Sequence, residues 1–345
     1  MRSQRIKQHA LHLGFDDCGI APADALKAEE IFLTNWLQNS YHANMNYMAR
    51  NQEKRVDVRK MMEGAKSVIC LLSNYKPAQW QEAQYPQIAA FAYGEDYHVV
   101  LKERLHRLAA YINDLLTSES DQTPHPQWMF KKSSKSQNPE VERHRSKEVC
   151  EDPRYRKSVK TCNFLNIRMF VDTAPILERA WAARAGLGWI GKSSLLVSPR
   201  FGPFTFIAII LTNFELEYDR PVAARCDSCT RCLNACPTGA LCAPYTVDAR
   251  LCISYHTIEN RDPCRVDPQP YLFGCDSCLR VCPWGESAPS TTLFPPLPDT
   301  LQLTAKDWKT LSNNDFNRRF AKSPVQRAGL TKLQNTLELW NGKQK

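Results

Sequence analysis

Eight closely spaced cysteines form the pattern in this sequence that is most suited to chemistry. Cys226, Cys229, Cys232 and Cys236, followed by a proline, give C-x2-C-x2-C-x3-C-P. The two-residue gaps let one tight loop direct three thiolates at three irons of a cubane, while the fourth cysteine reaches a neighbouring cubane. Zinc sites also use C-x2-C pairs, but as two separate pairs. The run therefore predicts bacterial-ferredoxin-type [4Fe–4S] clusters, with zinc as the alternative.

A second, altered copy of this motif follows. Cys275, Cys278 and Cys282 give C-x2-C-x3-C-P, which lacks one cysteine of the full run. Cys252, in the segment LCISYH, is the natural replacement. Because the last cysteine of each run ligates the other cubane, the two copies exchange one ligand. The predicted sets are Cys226, Cys229, Cys232 and Cys282 for cluster 1, and Cys236, Cys252, Cys275 and Cys278 for cluster 2.

The other six of the 14 cysteines carry less information. Cys242 and Cys264 are spare candidates near the cluster motifs. The remaining four are predicted to be ordinary buried or loop thiols, with a metal site at the last two as an alternative. These four are Cys18, Cys70, Cys150 and Cys162.

Length and composition limit the kind of protein. A chain of 345 residues with 43% hydrophobic residues suggests two domains with a real core. It has no apolar run of about 18 residues that would span a membrane, and its N-terminus lacks the apolar stretch of a signal peptide. We therefore expect a cytoplasmic protein, in which tightly spaced cysteines indicate a metal or catalysis. The net charge of +9 permits a polyanionic partner such as nucleic acid.

The elements that must position the clusters alternate between helix and strand. Residues 1–40 predict helix, strand and helix, and the apolar runs 67–72 and 204–211 predict buried strands. A helix is expected over 96–116 because its apolar residues recur at helical spacing. Further strands are predicted at 88–93 and 165–171, and a helix at 176–185 with Pro175 in its first turn. The fold class is therefore α+β, an α/β-like N-terminal domain with a central sheet flanked by helices, plus a bacterial-ferredoxin-like double [4Fe–4S] module.

Changes in composition predict the domain boundaries. We assign residues 1–220 to the first domain, 221–290 to the double-cluster domain and 291–345 to a C-terminal helical tail that packs on the core. A basic insertion occupies about 120–163. Between 131 and 160 it has ten Lys or Arg against five Asp or Glu, which is typical of a solvated loop or a polyanion-binding flap.

Several segments of the sequence resemble the epoxyqueuosine reductase family. They are VDTAPILERAWAARAGLGWIGKSSLL (171–196), CDSCTRCLNACPTGAL (226–241), LCISYHTIE (251–259) and FGCDSCLRVCPWG (273–285). Upstream, GAKSVICLLSNY (64–75) and YGEDYHVVLKERL (93–105) also fit. The resemblance covers most of residues 1–290, with its elements in the family's order. It implies a cobalamin- and iron–sulfur-dependent enzyme that reduces epoxyqueuosine to queuosine at the wobble position of tRNA.

The resemblance also implies roles for individual residues. Asp172, in the VDT segment, is expected to be the general acid, with its pKa raised by burial against the corrin; the alternative is a simple helix N-cap. The sequence has no Asp-x-His-x-x-Gly motif, so we expect no protein histidine on cobalt. The cobalamin-binding candidates are Arg55, Tyr97, Asp172, Ser193, Ser194, Asp276 and Ser277.

The resemblance implies partners as well. We expect tRNA to bind through its anticodon stem-loop, the insertion at 120–163 to be a tRNA contact specific to this lineage, and flavodoxin or ferredoxin to supply electrons. No membrane contact is expected, and the protein is expected to be a monomer. Two alternatives are a cobalamin-dependent reductive dehalogenase and a double-cluster electron-transfer protein. The long α/β-like region before the clusters argues against the second.

Overall fold

A computed structural model of the protein describes residues 2–118, 166–262, 264–297 and 300–341. The predicted basic insertion at 120–163, with Cys150 and Cys162, lies outside the described residues. The helices are α1 (Arg2–His12), α2 (Lys27–Gln38), α3 (Gln52–Val56), α4 (Tyr97–Ser118), α5 (Glu178–Arg184), α6 (Arg231–Asn234), α7 (Ser277–Arg280), α8 (Pro283–Glu286), α9 (Ala305–Thr310), α10 (Asn313–Arg319) and α11 (Leu330–Asn341). The strands are β1 (Asp17–Pro22), β2 (Ser67–Asn74), β3 (Gln87–Ile88), β4 (Ile167–Phe170), β5 (Trp189–Ile190), β6 (Leu196–Val197), β7 (Thr205–Thr212) and β8 (Tyr271–Phe273).

The central sheet has four strands in the order β1-β2-β7-β4, and each neighbouring pair is antiparallel. Cys70 of β2 lies opposite Ile209 of β7. Every residue of β2 is buried, because a strand covered on both faces has no polar side to present to water. The buried strands predicted at 67–72 and 204–211 are confirmed.

Helices cover both faces of this sheet. Alternate side chains of β2 point to opposite faces, so Val68 and Cys70 belong to one core and Ile69 and Leu71 to the other. The first core includes residues of α2 and α5, and the second includes residues of α1 and α4. The predicted α+β class, with a central sheet flanked by helices, is confirmed.

Helix α4 shows why the predicted helix at 96–116 forms. Leu101, Leu105, Leu108 and Ile112 are fully buried, at the spacing that places side chains on one face of a helix. Each such side chain contributes about 1.5–3 kcal/mol relative to an exposed position. Because α4 begins at Tyr97, this packing fixes the first turn of the helix beside the end of β4.

Two predicted elements differ from the structure. The strand expected at 88–93 is limited to Gln87–Ile88, and Ala90–Ala92 forms a 3-10 turn. The strand ends there because the side chain of Asp276 accepts the Ala90 N–H at 2.7 Å. The helix expected at 176–185 begins only at Glu178, so Pro175 precedes the helix and is not in its first turn.

The C-terminal helices pack on the cluster-bearing part of the chain. Trp308, Phe316, Phe320 and Leu333 share a buried core with Leu272 and Phe273 of β8 and with Ile88 of β3. The domain boundaries assigned from the sequence stay a prediction. Within the described ranges, no helix is both long and apolar enough to cross a membrane.

Candidate active site

A cavity of about 550 Å³ lies where the central sheet, the cysteine-rich region and the segment 321–327 meet. One side, which we call the acid wall, consists of Asp96, Tyr97, His98, Asp172 and Glu178. Another side, the cysteine wall, consists of Ser254, Cys275, Asp276 and Leu279. The remaining lining is mainly apolar and includes Leu195, Leu196, Phe206, Ile207 and Ile258, with Thr205 among them. Arg179 and Arg327 also line the cavity.

Asp172 stands at a backbone position that the fold holds in place. It follows β4 and has a φ of +54°, in the left-handed region that non-glycine residues rarely adopt. Its N–H donates to Oε1 of Glu178 at 2.7 Å, which fixes this conformation. The N-cap of α5 is Leu177, so the alternative role of Asp172 as the N-cap of this helix is wrong.

Two side chains from the start of α4 hold the Asp172 carboxylate. The hydroxyl of Tyr97 donates to Oδ2 at 2.8 Å, and Nε2 of His98 lies 3.6 Å from the same oxygen. Nδ1 of His98 lies 2.7 Å from Oδ1 of Asp96. The Tyr97 ring stacks between His98 and Phe206, with centroid distances of 4.1 Å on each side. The acid wall is therefore a connected chain, Asp96–His98–Asp172–Tyr97.

These contacts separate the pKa values of the acid wall. The polar contact with His98, opposed by burial and assisted by the Tyr97 hydrogen bond, lowers the pKa of Asp172. Burial alone would lower the pKa of His98, but its contacts with the carboxylates of Asp172 and Asp96 raise it to about 9. Burial, and then the charge of Asp172, raises the pKa of Glu178 to about 8. At neutral pH the wall therefore holds an ionised Asp172 beside a protonated His98 and a protonated Glu178.

The pKa of Asp172 is lowered, whereas the sequence led us to expect a raised value. The sequence suggested that burial would raise it, but the polar contacts of His98 and Tyr97 with the ionised form outweigh burial here. Within the acid wall, the carboxyl group whose pKa is raised is Glu178, which sequence reasoning missed. His98 and Glu178 both lie within segments that resemble the family, 93–105 and 171–196, and that position was the available signal.

Several cysteines of each predicted set lie close enough to influence one another's pKa. The pKa of Cys282 is raised by burial and then by the charges of Cys226 and Cys229. The pKa of Cys278 is raised by burial and then by Cys275 and Cys252, with Cys236 also contributing. The same pattern links Cys232 to Cys226 and Cys282. These neighbours match the predicted exchange of Cys236 and Cys282, although the ligand sets themselves stay a prediction.

The described residues include no group of three His, Cys, Asp or Glu side chains placed around a single metal ion. A cubane binds each thiolate to a different iron, so its ligands stand further apart than those of one ion. Cys226 also accepts a hydrogen bond from the indole Nε1 of Trp189, at 3.4 Å. Lys192 donates to the carbonyl of Cys229 at 3.0 Å and so supports the first cysteine loop.

The predicted cofactor-binding residues fall into two groups. Tyr97, Asp172 and Asp276 line the cavity, and Asp276 is almost fully buried. The other four are not among the lining residues. Arg55 donates to the Tyr47 carbonyl at 2.7 Å, and Ser193 is buried. The carbonyl of Ser194 accepts a hydrogen bond from Arg179, and the hydroxyl of Ser277 donates to that of Tyr271.

Arg55 holds the backbone of Tyr47, a residue whose pKa is affected by charged groups of the cavity. The Tyr47 side chain is 46% exposed, and its segment is held by the Arg55 hydrogen bond. Burial of part of the ring, followed by the charge of Glu259, raises the pKa of Tyr47, and Arg327 and Asp172 also act on it. Glu259 and Arg327, which pair at 2.7 Å, both line the cavity. Tyr47 is not among the lining residues, but its exposed ring lies within electrostatic reach of the Glu259–Arg327 pair that lines the cavity.

Comparison with known proteins agrees with this architecture. The family described as "Epoxyqueuosine reductase QueG, DUF1730" matches residues 55–123, and "4Fe-4S double cluster binding domain" matches residues 225–285. With the cavity between these two regions, the fold and the site define an iron–sulfur oxidoreductase. An epoxyqueuosine reductase of Cellulophaga algicola is 38% identical over 342 residues, which cover 97% of both chains. The chain therefore belongs to the epoxyqueuosine reductase family.

Solved structures are similar in fold. An epoxyqueuosine reductase crystallised with an epoxyqueuosine-modified tRNA-Tyr stem loop is 25% identical, with a TM-score of 0.75 over 97% of this chain and 80% of that chain. The structure of epoxyqueuosine reductase from Streptococcus thermophilus gives a TM-score of 0.77 with the same coverage and 24% identity. At 24% identity, the similarity to the Streptococcus thermophilus structure is one of fold alone.

Proposed function

We propose that this protein reduces the epoxide of epoxyqueuosine in tRNA to the alkene of queuosine, the last step of queuosine biosynthesis. We also propose that it uses cobalamin and electrons relayed by two [4Fe–4S] clusters. The observation that carries the proposal is the cavity itself, because the acid wall and Cys275, a predicted cluster ligand, line one space. The family name of the relatives indicates the same substrate.

The residues around the cavity fit a cobalamin. Much of the lining is apolar and suits the faces of a flat macrocycle, while polar groups stand among it. The hydroxyl of Thr205 is buried and has no hydrogen-bond partner among the described residues, so a ligand group can satisfy it. Tyr97, Thr205 and Asp276 are the residues that we expect to hold the cofactor. Bound cobalamin would supply a strongly reducing cobalt centre that can take up electrons one at a time.

The reaction needs a balanced supply of electrons and protons. Both C–O bonds of the epoxide break, the two carbons form an alkene, and the oxygen leaves as water after taking two protons and two electrons. The clusters carry single electrons, so each turnover draws on them twice. The leaving oxygen must be protonated as its bonds to carbon break, which requires an acid at the cavity wall.

The acid wall can meet this need. Asp172 is the proposed proton donor to the oxygen, because it projects into the cavity from a fixed position. In its own surroundings it is ionised, so it must first take up the proton that it passes to the oxygen, and its nearest source is His98, whose pKa is raised to about 9. Glu178, whose carboxyl oxygen accepts the Asp172 N–H, holds the second proton. Tyr97 keeps the Asp172 carboxylate oriented towards the cavity.

The cavity mouth suits a nucleic acid. Arg179 and Arg327 line the cavity and can contact phosphates, whereas the exposed Tyr47 offers a ring on which a splayed-out base can stack. We propose that the anticodon stem-loop of tRNA binds here, with the modified wobble nucleoside in the cavity. A cytoplasmic location, a monomeric state and flavodoxin or ferredoxin as the donor stay predictions.

The proposal is tested with anaerobically purified protein, reconstituted with iron, sulfide and cobalamin and supplied with reduced flavodoxin. Transfer RNA that contains epoxyqueuosine is added, digested to nucleosides and analysed by mass spectrometry. We expect queuosine to form only when cobalamin and donor are both present. Protein that binds cobalamin but dehalogenates an aryl halide instead of acting on this tRNA would indicate the dehalogenase alternative. Protein that binds no cobalamin and is inert on tRNA would indicate the electron carrier.

A further inference from the structure

A second hollow, of about 480 Å³, lies on the cysteine-rich region away from the cavity. Its lining comes from α6, α7 and α8 and their ends: Arg231, Asn234, Ala235, Arg280, Val281 and Glu286. It shares no lining residue with the cavity. On α7, Leu279 lines the cavity and the next residue, Arg280, lines the hollow, so the two openings lie on different sides of this helix.

Two exposed arginines, Arg231 and Arg280, line this hollow. Together with the exposed Arg225, which precedes the first cysteine loop, we call them the arginine face. Arg280 lies 4.4 Å above the ring of Trp80, and Arg225 lies 5.7 Å from the ring of Trp284 in α8. Such cation–π contacts hold a guanidinium in place while leaving its edge free to accept a partner.

The charge of this face is positive. Arg231 pairs with Glu286 at 3.0 Å, and Glu286 is the acidic residue in the lining of the hollow. Lys76 adds a further cation, because its Nζ donates to the carbonyl of Ala288 at 2.6 Å. The arginine face is therefore positively charged and largely preorganised, and its Arg231 side chain is 56% exposed.

Residues of the arginine face and the hollow directly precede ligands of both predicted clusters, but mostly of cluster 1: Val281 precedes Cys282 of cluster 1, whereas Ala235 precedes Cys236 of cluster 2. Arg225 directly precedes Cys226, and Arg231 directly precedes Cys232. Both cysteines are proposed ligands of cluster 1. Cluster 2 instead contributes Cys275 to the cavity wall. If electrons pass between the clusters, cluster 1 is the entry point from the surface and cluster 2 is the exit point to the cavity.

We propose that the arginine face is the docking site of an acidic one-electron carrier protein, which reduces cluster 1. This inference rests on the proposed function, in which clusters relay electrons to the cavity. A carrier with a negative surface around its redox group complements the arginine face in charge, which speeds encounter and fixes orientation. Transfer RNA is the less suited occupant, because its wobble nucleoside must enter the cavity, which opens elsewhere.

The test compares wild type with the double variant Arg231→Glu/Arg280→Glu. Stopped-flow absorbance follows reduction of the clusters by flavodoxin hydroquinone, a strongly acidic donor, at low and high salt. We expect the second-order rate constant of the variant to fall about tenfold or more at low salt and to approach wild type at high salt. The milder Arg231→Gln/Arg280→Gln variant should show a smaller loss. Iron content and photoreduction by uncharged deazaflavin should be unchanged, which shows that the module is folded and its clusters can be reduced.

Lys306→Glu/Lys309→Glu is the matched control, since it reverses two exposed charges on α9, outside the arginine face. It should keep the wild-type rate constant. Equal rate constants for the arginine variant and wild type would overturn the proposal. A loss of tRNA affinity in the arginine variant with unchanged reduction would assign the face to tRNA and would also overturn it. Wild-type protein that flavodoxin reduces but that forms no queuosine would count against the proposed function alone.

Discussion

The acid wall and the cysteine wall enclose the same cavity but are built differently. The cysteine wall contains Cys275, which belongs to a motif whose predicted ligands are separated by two or three residues, so that one loop can direct them at a cluster. The acid wall joins Asp172 to Tyr97 across 75 positions of the chain. One wall would supply electrons and the other protons. The difference suggests that electron supply depends on local motifs, whereas proton supply depends on how β4, α4 and α5 pack.

The largest effect is expected from removing a cluster ligand. Cys282→Ala should lower the iron content from about eight to about four per chain and abolish turnover, because one cluster loses a ligand from the distant motif. Iron analysis and low-temperature electron paramagnetic resonance measure this directly. Cys242→Ala, at an exposed thiol near the same motifs, should retain all the iron. Unchanged iron in Cys282→Ala would refute the exchange of ligands between motifs.

The next effect concerns the acid wall alone. Asp172→Asn should keep cobalamin and both clusters but reduce turnover about a hundredfold or more, because an amide cannot protonate the leaving oxygen. Single-turnover formation of queuosine measures this, with absorbance spectra to confirm that the cofactors remain. Asp24→Asn, at an exposed position before α2, should behave as wild type. Near-normal turnover in Asp172→Asn would remove this residue from the proposed mechanism.

A smaller effect is expected at Tyr47. Tyr47→Ala should raise KM for the tRNA stem-loop about tenfold with little change in kcat, because base stacking on an aromatic ring contributes about 1–3 kcal/mol. Tyr47→Phe keeps the ring and should leave KM unchanged. An equal rise in KM for both variants would point to the hydroxyl rather than to stacking.

The smallest effect separates the two proton sources of the acid wall. Activity should fall as the pH rises through about 8, where Glu178 ionises, and again near 9, where His98 loses its proton. Glu178→Gln cannot hold a proton at any pH, so it should lower the rate about fivefold and remove the first fall while keeping the second. Initial rates from pH 6 to about 10 give this profile.

Other groups around Glu178 also bear on this pH profile. They are Asp172, His98 and Tyr97 in the acid wall, Arg179 on α5 and the buried Cys70 on β2. Glu259→Gln, which removes a carboxylate from another side of the cavity, should keep the fall near pH 8. A fall that persists in Glu178→Gln would assign it to a group other than Glu178.

The local sequence was sufficient to predict much of the fold. The apolar runs of β2 and β7 and the helical spacing of α4 identified these elements because each buries a continuous or periodic set of side chains. The short strand at 88–93 and the start of α5 were predicted wrongly. The first depends on a contact with a distant residue, the Asp276 carboxylate that accepts the Ala90 N–H. The helix α5 begins two residues later than predicted, after Leu177 at its N-cap.

The sequence by itself determined the chemistry of the cysteines, since cluster ligation requires short and fixed spacings that a motif records. It also indicated Asp172, through the segment that resembles the family. Only the tertiary structure decided that Asp172 is ionised and that His98 and Glu178 hold the protons. A pKa is set by burial and by charges within a few ångströms, and those neighbours are brought together by the packing of α4 and α5 around the end of β4.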